Sequence, residues 1–319
     1  MGLMKTAALV FTFMLLLSAL TLSLTRTATG CTRADFENVI ESIAQTIYIQ
    51  SDGSIVPETA RIQHNGGTYT LTDDVYAPIA VDKPNIIIDG AGYTLNGPFN
   101  GTQTDLWIIG EGSAQESGNE TQMPWTVGVD VRADNSTVKN LNIRNFTIGI
   151  WLWTANNTVT GNAITENLLG ILLSGTNNNV TSNLLSNNRD GIFFGANPSG
   201  SIPTDITLSS NGFVGNHRQL SGCVCKEFNK TEATHTWDNG RTGNFWSDYN
   251  GTDTNGDGVG DSAYVIDVLN KDRYPLMQNV AAAPSVAGKV PVELIAVTVI
   301  LSAIAVVAYF GRTRKPQKL

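Results

Sequence analysis

Between Gly128 and Phe194 the apolar positions return at a fixed interval that matches neither a helix nor a single strand. Gly128, Gly149, Gly170 and Gly191 fall in one column with a step of 21 residues, each followed by Val129, Ile150, Ile171 or Ile192. Two places further on stand Val131, Leu152, Leu173 and Phe194. Two more columns hold Val138, Val159 and Val180, and Ile143, Ile164 and Leu185. After an insertion of seven residues in "GANPSGSIPTD", Leu208 and Phe213 resume the last two columns. The apolar runs are short, alternate in and out, and end in Asn, Gly, Ser or Thr.

A unit this short cannot bury its apolar face alone and must stack on copies of itself. Helical solenoids need longer repeats of good helix formers, whereas "NNTVTGN" and "GTNNNVTSN" are rich in residues that favour turns and strands. The regular Leu spacing of leucine-rich repeats is missing. The predicted fold is therefore all-β, a parallel β-helix with coils about 4.8 Å apart and inward Val, Ile and Leu forming a continuous core. Asparagine columns fit that geometry: Asn135, Asn156 and Asn177; Asn162, Asn183 and Asn211; Asn167, Asn188 and Asn216. Stacked amides bond from coil to coil and tolerate left-handed turns, so these columns read as structural ladders.

The pattern divides the chain. Residues 32–75 read as an N-terminal cap and first strands, with Phe36, Val39, Ile40, Ile43 and Ile47 at helical spacing. The β-helix spans 76–236, interrupted by a lateral loop over 98–127 that breaks the rhythm. Residues 237–278 form a C-terminal cap and 279–289 a linker.

The ends are of another kind. Residues 1–31 place one Lys before an apolar run and then small residues, the layout of a signal peptide. Residues 290–311, "VPVELIAVTVILSAIAVVAYFG", are long enough to cross about 30 Å of hydrocarbon as one helix. Arg312, Arg314, Lys315 and Lys318 follow in the tail 312–319, which places that tail in the cytoplasm and the rest outside a cell membrane.

Residues 32–288 hold 13 Lys/Arg against 27 Asp/Glu, a balance of −14 where the whole chain carries −8. Nucleic acid and anionic lipid are poor partners of such a surface, and divalent cations are better ones. Cys31, Cys223 and Cys225 are too few for a disulfide scaffold. Cys31 is open to cleavage with the signal peptide, lipidation or disulfide bonding.

"YTLTDDVYAPIAVDKPNIIIDGAGYTLNG", then the repeats, then "TWDNGRTGNFWSDYNGTDTNGDGVGDSAYVID" and "YPLM" resemble the NosD-like right-handed β-helix proteins, especially surface-exposed archaeal members. The resemblance implies a right-handed parallel β-helix. It leaves function divided, because the name-giving member is a periplasmic protein linked to copper-site maturation while the wider class includes carbohydrate-binding proteins and sugar hydrolases.

In "DTNGDGVGD", Asp253, Asn255 and Asp257 supply oxygens at alternate positions, Gly258 permits the turn, the Val259 carbonyl follows, and Asp261 closes the set. Alternate residues of a tight turn converge oxygens on a hard cation, so the motif predicts a structural Ca²⁺ site clamping the C-terminal cap. Tyr264 stands where a full EF-hand has its bidentate Glu, and Asp248 or Asp267 is available to complete the shell. His217, Cys223, Cys225 and His235 invite a copper or zinc reading, but the C-x-C spacing and an oxidising exterior favour a disulfide over metal.

For catalysis, β-helix hydrolases and lyases bring carboxylates together on adjacent coils. Here Glu166 stacks between Asn145 and Asn187, and Asp190 follows Leu169 and Ile148, so the carboxylates do not align. Asp105, Glu111 and Glu116 of the lateral loop keep an enzyme open. The outward column Asp130, Trp151, Leu172 and Phe193, with Trp153 beside it, offers an aromatic platform for sugar rings. Trp107 and Trp125 of the lateral loop, or the segment with Trp237, Phe245 and Trp246, compete to cover it. Of eight Asn-x-Ser/Thr sequons, Asn100, Asn119 and Asn229 lie on predicted loops and are the expected glycosylation sites.

The expectation is a membrane-anchored extracellular β-helix, non-catalytic, serving in surface structure, adhesion or carbohydrate binding. Its partners would be cell-surface glycans or other surface proteins, and the membrane through one helix. A polysaccharide hydrolase or lyase, and a copper-handling accessory protein, are the alternatives.

Overall fold

The computed structural model describes residues 46–99, 126–197, 201–222, 233–281 and 284. The predicted signal peptide, the membrane helix and residues 100–125 of the predicted lateral loop lie outside these residues, while Val127, assigned to that loop, opens a strand. Among the described residues no helix is long and apolar enough to cross a membrane.

The chain winds through three sheets in the same order on every coil. The first coil is β1 (Ile47–Ile49), β4 (Thr68–Leu71) and Val75, and the second is β5 (Ile79–Val81), β6 (Ile87–Asp89) and β7 (Thr94–Asn96). The repeats supply β8 (Val127–Val131), β9 (Thr137–Lys139) and β10 (Asn142–Arg144); β11 (Ile148–Leu152), β12 (Thr158–Thr160) and β13 (Ala163–Thr165); and β14 (Leu169–Leu173), β15 (Asn179–Thr181) and β16 (Leu184–Ser186). Beyond them come β17 (Asp190–Phe194), β18 (Thr207–Ser209) and β19 (Gly212–Val214), then β20 (Arg218–Gly222), Thr236 and β21 (Phe245–Trp246). We term the three faces sheet A (β1 to β20), sheet B (β4 to β18) and sheet C (β7 to β21).

Every lateral pairing between successive coils is parallel, and the register reproduces the sequence columns. Ile150 lies opposite Val129 and Ile171, and Val159 opposite Val138 and Val180. Across the insertion Val180 pairs with Leu208 and Leu185 with Phe213. These inward side chains are fully buried in one continuous core, each contributing on the order of 1.5–3 kcal/mol of apolar burial. The Gly column has a separate cause. A Cβ on Gly170 would stand 2.4 Å from the Gly191 carbonyl oxygen, so the coils approach too closely for any side chain there.

In the coils β11–β13 and β14–β16 each of the three corners repeats one device, a residue with positive φ followed by an inward asparagine, whereas in β8–β10 Ser136, Leu141 and Phe146 stand in those places. At the corner from sheet B to sheet C, Gly161, Ser182 and Ser210 have φ of 66°, 58° and 59°, and Asn162, Asn183 and Asn211 follow them. Asn183 Oδ1 accepts from the backbone N–H and the side-chain Nδ2 of Asn162, at 3.0 and 2.9 Å, while its own Nδ2 donates to the Val159 carbonyl at 2.8 Å. The chain of amides runs on through Asn211 to Asn244 and ends on the Asp272 carboxylate. Asn167, Asn188 and Asn216 form the ladder at the next corner, ending on Gln219. A third, shorter set is Asn157 and Asn178 at the corner from sheet A to sheet B. Asn135, Asn156 and Asn177 are the left-handed residues of that corner, with φ of 58°, 61° and 54°, and are exposed.

Both ends of the stack are closed by strands or rings. At the N-terminal end β2 (Ile55–Val56) and β3 (Ile62–Asn65) pair antiparallel with β1 and β4, which covers two sheet edges. At the other end Phe213, Trp246 and Tyr264 stack at 4.4 and 4.3 Å between centroids, continuing the core as a column of rings. Tyr264 belongs to β22 (Tyr264–Val265), which pairs antiparallel with β23 (Lys271–Asp272). The region from 237 thus adds a further rung to sheet C before it caps the core.

The ladder gives a direct test. Asn183→Ala leaves the Asn162 N–H buried without a partner and should cost about 1–3 kcal/mol, against less than about 1 kcal/mol for Asn177→Gly, which keeps the positive φ of the exposed turn. Urea unfolding midpoints of the two variants check this difference.

Candidate functional site

The outer face of sheet A was the sequence's candidate for ligand binding, and its register is as expected: Trp151 lies between Asp130 and Leu172, and Leu172 beside Phe193. The expected open platform is not what the structure contains. Trp151 is 2% exposed and Phe193 4%, and with Ile148, Leu169 and Leu172 they form a second apolar cluster outside the main core. Trp153, half-buried, stacks on Trp151 with centroids 3.8 Å apart. The physical reason is that side chains this apolar stay covered rather than face water. Trp237 and Trp246 do not supply that cover, since both lie in the main core.

Charged groups flank this cluster at both ends. Asp130 accepts from Trp153 Nε1 at 2.7 Å and from Arg132 Nε and an Arg132 terminal nitrogen at 2.7 and 2.6 Å. Burial pushes the Asp130 carboxyl above its ordinary value, and the Arg132 guanidinium opposes that shift. At the far end Asp190, fully buried, is gripped by Arg218 through Nε and through a second nitrogen at 2.8 Å. Sequence reasoning missed both arginine pairings. Arg132 was legible as the same-face neighbour two residues from Asp130, whereas Arg218 reaches Asp190 only across the seven-residue insertion. Both carboxylates are bound by arginines, an arrangement that holds the surface together.

In the loop 253–261 the acidic side chains do come together, but onto the loop's own backbone. Asp253 accepts from the N–H groups of Gly256, Asp257 and Gly258 at 2.8, 3.2 and 2.9 Å. Asp257 accepts from Val259 N–H at 2.9 Å and from the Asn255 amide at 3.0 Å. Asp261 accepts from Thr254 N–H and the Thr252 hydroxyl, and these hydrogen bonds hold its carboxyl below the ordinary range. Gly256 and Gly258 supply the positive φ, 72° and 85°, that such a tight turn demands. Val259 pairs with Leu276, and Met277 N–H with the Gly258 carbonyl, which ties the loop to the end of the stack. Asp248 accepts from the Tyr264 hydroxyl and Asp267 from its own turn at Leu269 and Asn270, so each has a role of its own.

The copper or zinc set is not assembled among the described residues. His217 is exposed ahead of β20, whereas the His235 ring stacks on Phe194 at 5.0 Å. Cys223 and Cys225 lie outside the described residues. Among those residues no three His, Cys, Asp or Glu side chains converge as a metal site. The sequons Asn100, Asn119 and Asn229, and the loop carboxylates Asp105, Glu111 and Glu116, also lie outside. Glu166 occupies a left-handed turn, φ 57°, in the column of Asn145 and Asn187.

A family described as right handed beta helix region matches residues 99–240. A "Probable ABC transporter binding protein NosD" of Stutzerimonas stutzeri is 37% identical over 86 residues, 26% of this chain and 18% of that protein's length. The aligned stretch therefore spans less than a fifth of that relative. No solved structure matches.

His235 provides a pH readout for this end of the molecule. Burial lowers its pKa from 6.5 to about 4, and its Nδ1 is buried with no hydrogen-bond partner. The folded state therefore holds a neutral ring, and its stability contribution is complete above pH 6.5 and lost as pH falls from there towards 4. His235→Phe keeps the stacking on Phe194 and should flatten that part of the stability profile, measured by urea unfolding at each pH. The repeat columns, the three parallel sheets and these matches together show a parallel β-helix that is similar, over part of its length, to right-handed β-helix proteins and to a NosD protein.

Proposed function

We propose that this chain is a membrane-anchored, non-catalytic β-helix of the cell surface, whose flat polar faces engage glycans. The observation that carries the reading is the outer face of sheet B. Its register sets Thr137, Thr158, Asn179 and Thr207 in one row and Lys139, Thr160, Thr181 and Ser209 in another. Successive members are one coil step apart, about 4.8 Å. The hydroxyls of Thr137, Thr158 and Thr207 have no protein partner among the described residues. A rigid lattice of hydroxyls and an amide suits a long, repeating, polyhydroxylated chain better than a single small molecule, which needs a concave pocket. The anchor at 290–311 and the signal peptide at 1–31 belong to the same reading and rest on the sequence pattern. The relative named as a transporter binding protein is compatible with a role outside the cytoplasm.

The full-length protein in nanodiscs should bind repeating polysaccharides on a glycan array without cleaving them. Replacing Thr158, Thr160 and Thr181 together by Val, which keeps shape and removes hydroxyls, should weaken that binding at least tenfold. Unchanged affinity in this variant, or hydrolysis products in the eluate, contradicts the reading.

Ca²⁺ is proposed for the loop 253–261, with Asp253, Asn255, Asp257, the Val259 carbonyl and Asp261 as oxygen donors once they turn from the loop amides to the ion. Its effect would be to clamp the loop onto Leu276 and so onto the last rung. Calcium at a hundredfold excess over its dissociation constant would add about 2.7 kcal/mol of stability. Titration calorimetry of wild type and Asp253→Ala tests this; absence of binding by wild type at millimolar Ca²⁺ rejects the site.

A further inference from the structure

The segment after Leu276 does not leave the molecule at its C-terminal end. Leu276 pairs with Phe245 on the last rung of sheet C. Asn279 is next against Gly212 on β19, where a Cβ on that glycine would stand 2.1 Å from Asn279 Oδ1. Ala281 is buried, and Pro284 accepts a 3.1 Å hydrogen bond from Asn142 Nδ2 on β10. Leu276, Asn279 and Pro284 therefore lie in turn against β21, β19 and β10, so the chain runs back along the outside of sheet C. It is a strap whose two contacts, Gly212 and Asn142, belong to the register column Gly212, Leu184, Ala163 and Asn142. Two positions of that column, Gly212 and Ala163, carry only a hydrogen or a methyl.

We infer that sheet C is the face the molecule turns towards the lipid bilayer, so that the β-helix is presented side-on. The inference rests on the anchor reading of residues 290–311. From Pro284 to Val290 there are six Cα steps, which span at most about 20–22 Å. Returning from β10 to the level of β21 uses four coil steps, about 19 Å. Almost nothing is left to pass Leu276 and the loop 253–261, so an upright molecule standing on its C-terminal cap is out of reach. The charge of the face agrees. Beside the column that the strap covers, the open outward positions of sheet C are Asn96, Arg144, Thr165, Ser186 and Val214. They contain one cation and no carboxylate, in a region whose balance is −14. Anionic headgroups would repel the chain as a whole but not this face.

The test uses the full chain reconstituted in vesicles of neutral and anionic phospholipid, with a photo-crosslinkable residue placed singly at Thr165 on sheet C, Thr158 on sheet B, Gln63 at the N-terminal end or Thr254 in the C-terminal loop. Crosslinking to headgroups should be at least threefold stronger from Thr165 than from the other three positions. Strongest crosslinking from Thr254 or Gln63, or equal crosslinking from all four, overturns the inference. A linker of about fifteen Gly/Ser residues after Lys289 adds roughly 20 Å of mean reach and should erase the preference while the fold stays intact. Preference unchanged by this linker would mean that the tether does not set the orientation, and would also overturn it. Flotation with the vesicles is scored separately: failure to float rejects the anchor, whereas flotation without the Thr165 preference rejects the side-on presentation alone.

Discussion

A carboxamide that bonds to the backbone of the coil before it is the interaction on which this molecule depends. Each ladder asparagine accepts the N–H at the same corner of the preceding coil and donates to a carbonyl of that coil. The corners are where a buried chain must change direction, and where its backbone groups would otherwise lack partners. An unpaired buried amide costs about 1–3 kcal/mol, so three corners per coil would be enough to undo the burial of the inward Val and Ile. The Asn side chain is short enough to fit and carries both donor and acceptor, which no apolar residue of similar size does. Its left-handed predecessor turns the backbone so that the next side chain points inward. Spacing, register and the flatness of each outer face all follow from repeating that corner.

A ladder needs an end, and the C-terminal cap supplies it. Asp272 accepts from Asn244 N–H at 2.6 Å and from Trp246 Nε1 at 2.9 Å, while Tyr274 N–H takes its other oxygen at 3.0 Å. Burial raises its carboxyl above the ordinary value, opposed by these same donors. An acceptor-only group is what the last member requires, because nothing beyond it offers a carbonyl. Close by, Asp238 is bound by Arg273 through two nitrogens, at 2.9 and 2.7 Å, and that pairing overcomes burial and lowers its pKa. The same short region thus terminates the amides, seals the rings and launches the strap along sheet C.

Much of the fold was legible because its cause is periodic. The columns of Val159 and Ile164 keep their 21-residue step, and Leu208 and Phe213 could be recovered across the insertion since their spacing to each other is unchanged. Asn157 and Asn178 were harder to see: each follows a left-handed Asn, and adjacent asparagines hide which one turns inward. The first coil escaped the pattern because an antiparallel hairpin, β3 with β4, replaces the regular turn. The site was less legible. Exposure of Trp151 and Phe193 depends on what covers a sheet, which strand register does not encode, and Arg218 meets Asp190 only through a spacing of 28 residues. The strap left no periodic trace at all, since its contacts join Pro284 to a residue 142 positions earlier.

The claim that the corners hold the stack together is most directly tested by native-state hydrogen exchange on the full chain. The backbone amides of Asn162, Asn183 and Asn211 should exchange only through global unfolding, with the free energy of the strand amides of Val159 and Ile164. Exchange of these corner amides through local opening, several kcal/mol easier than that of the neighbouring strands, would contradict the account.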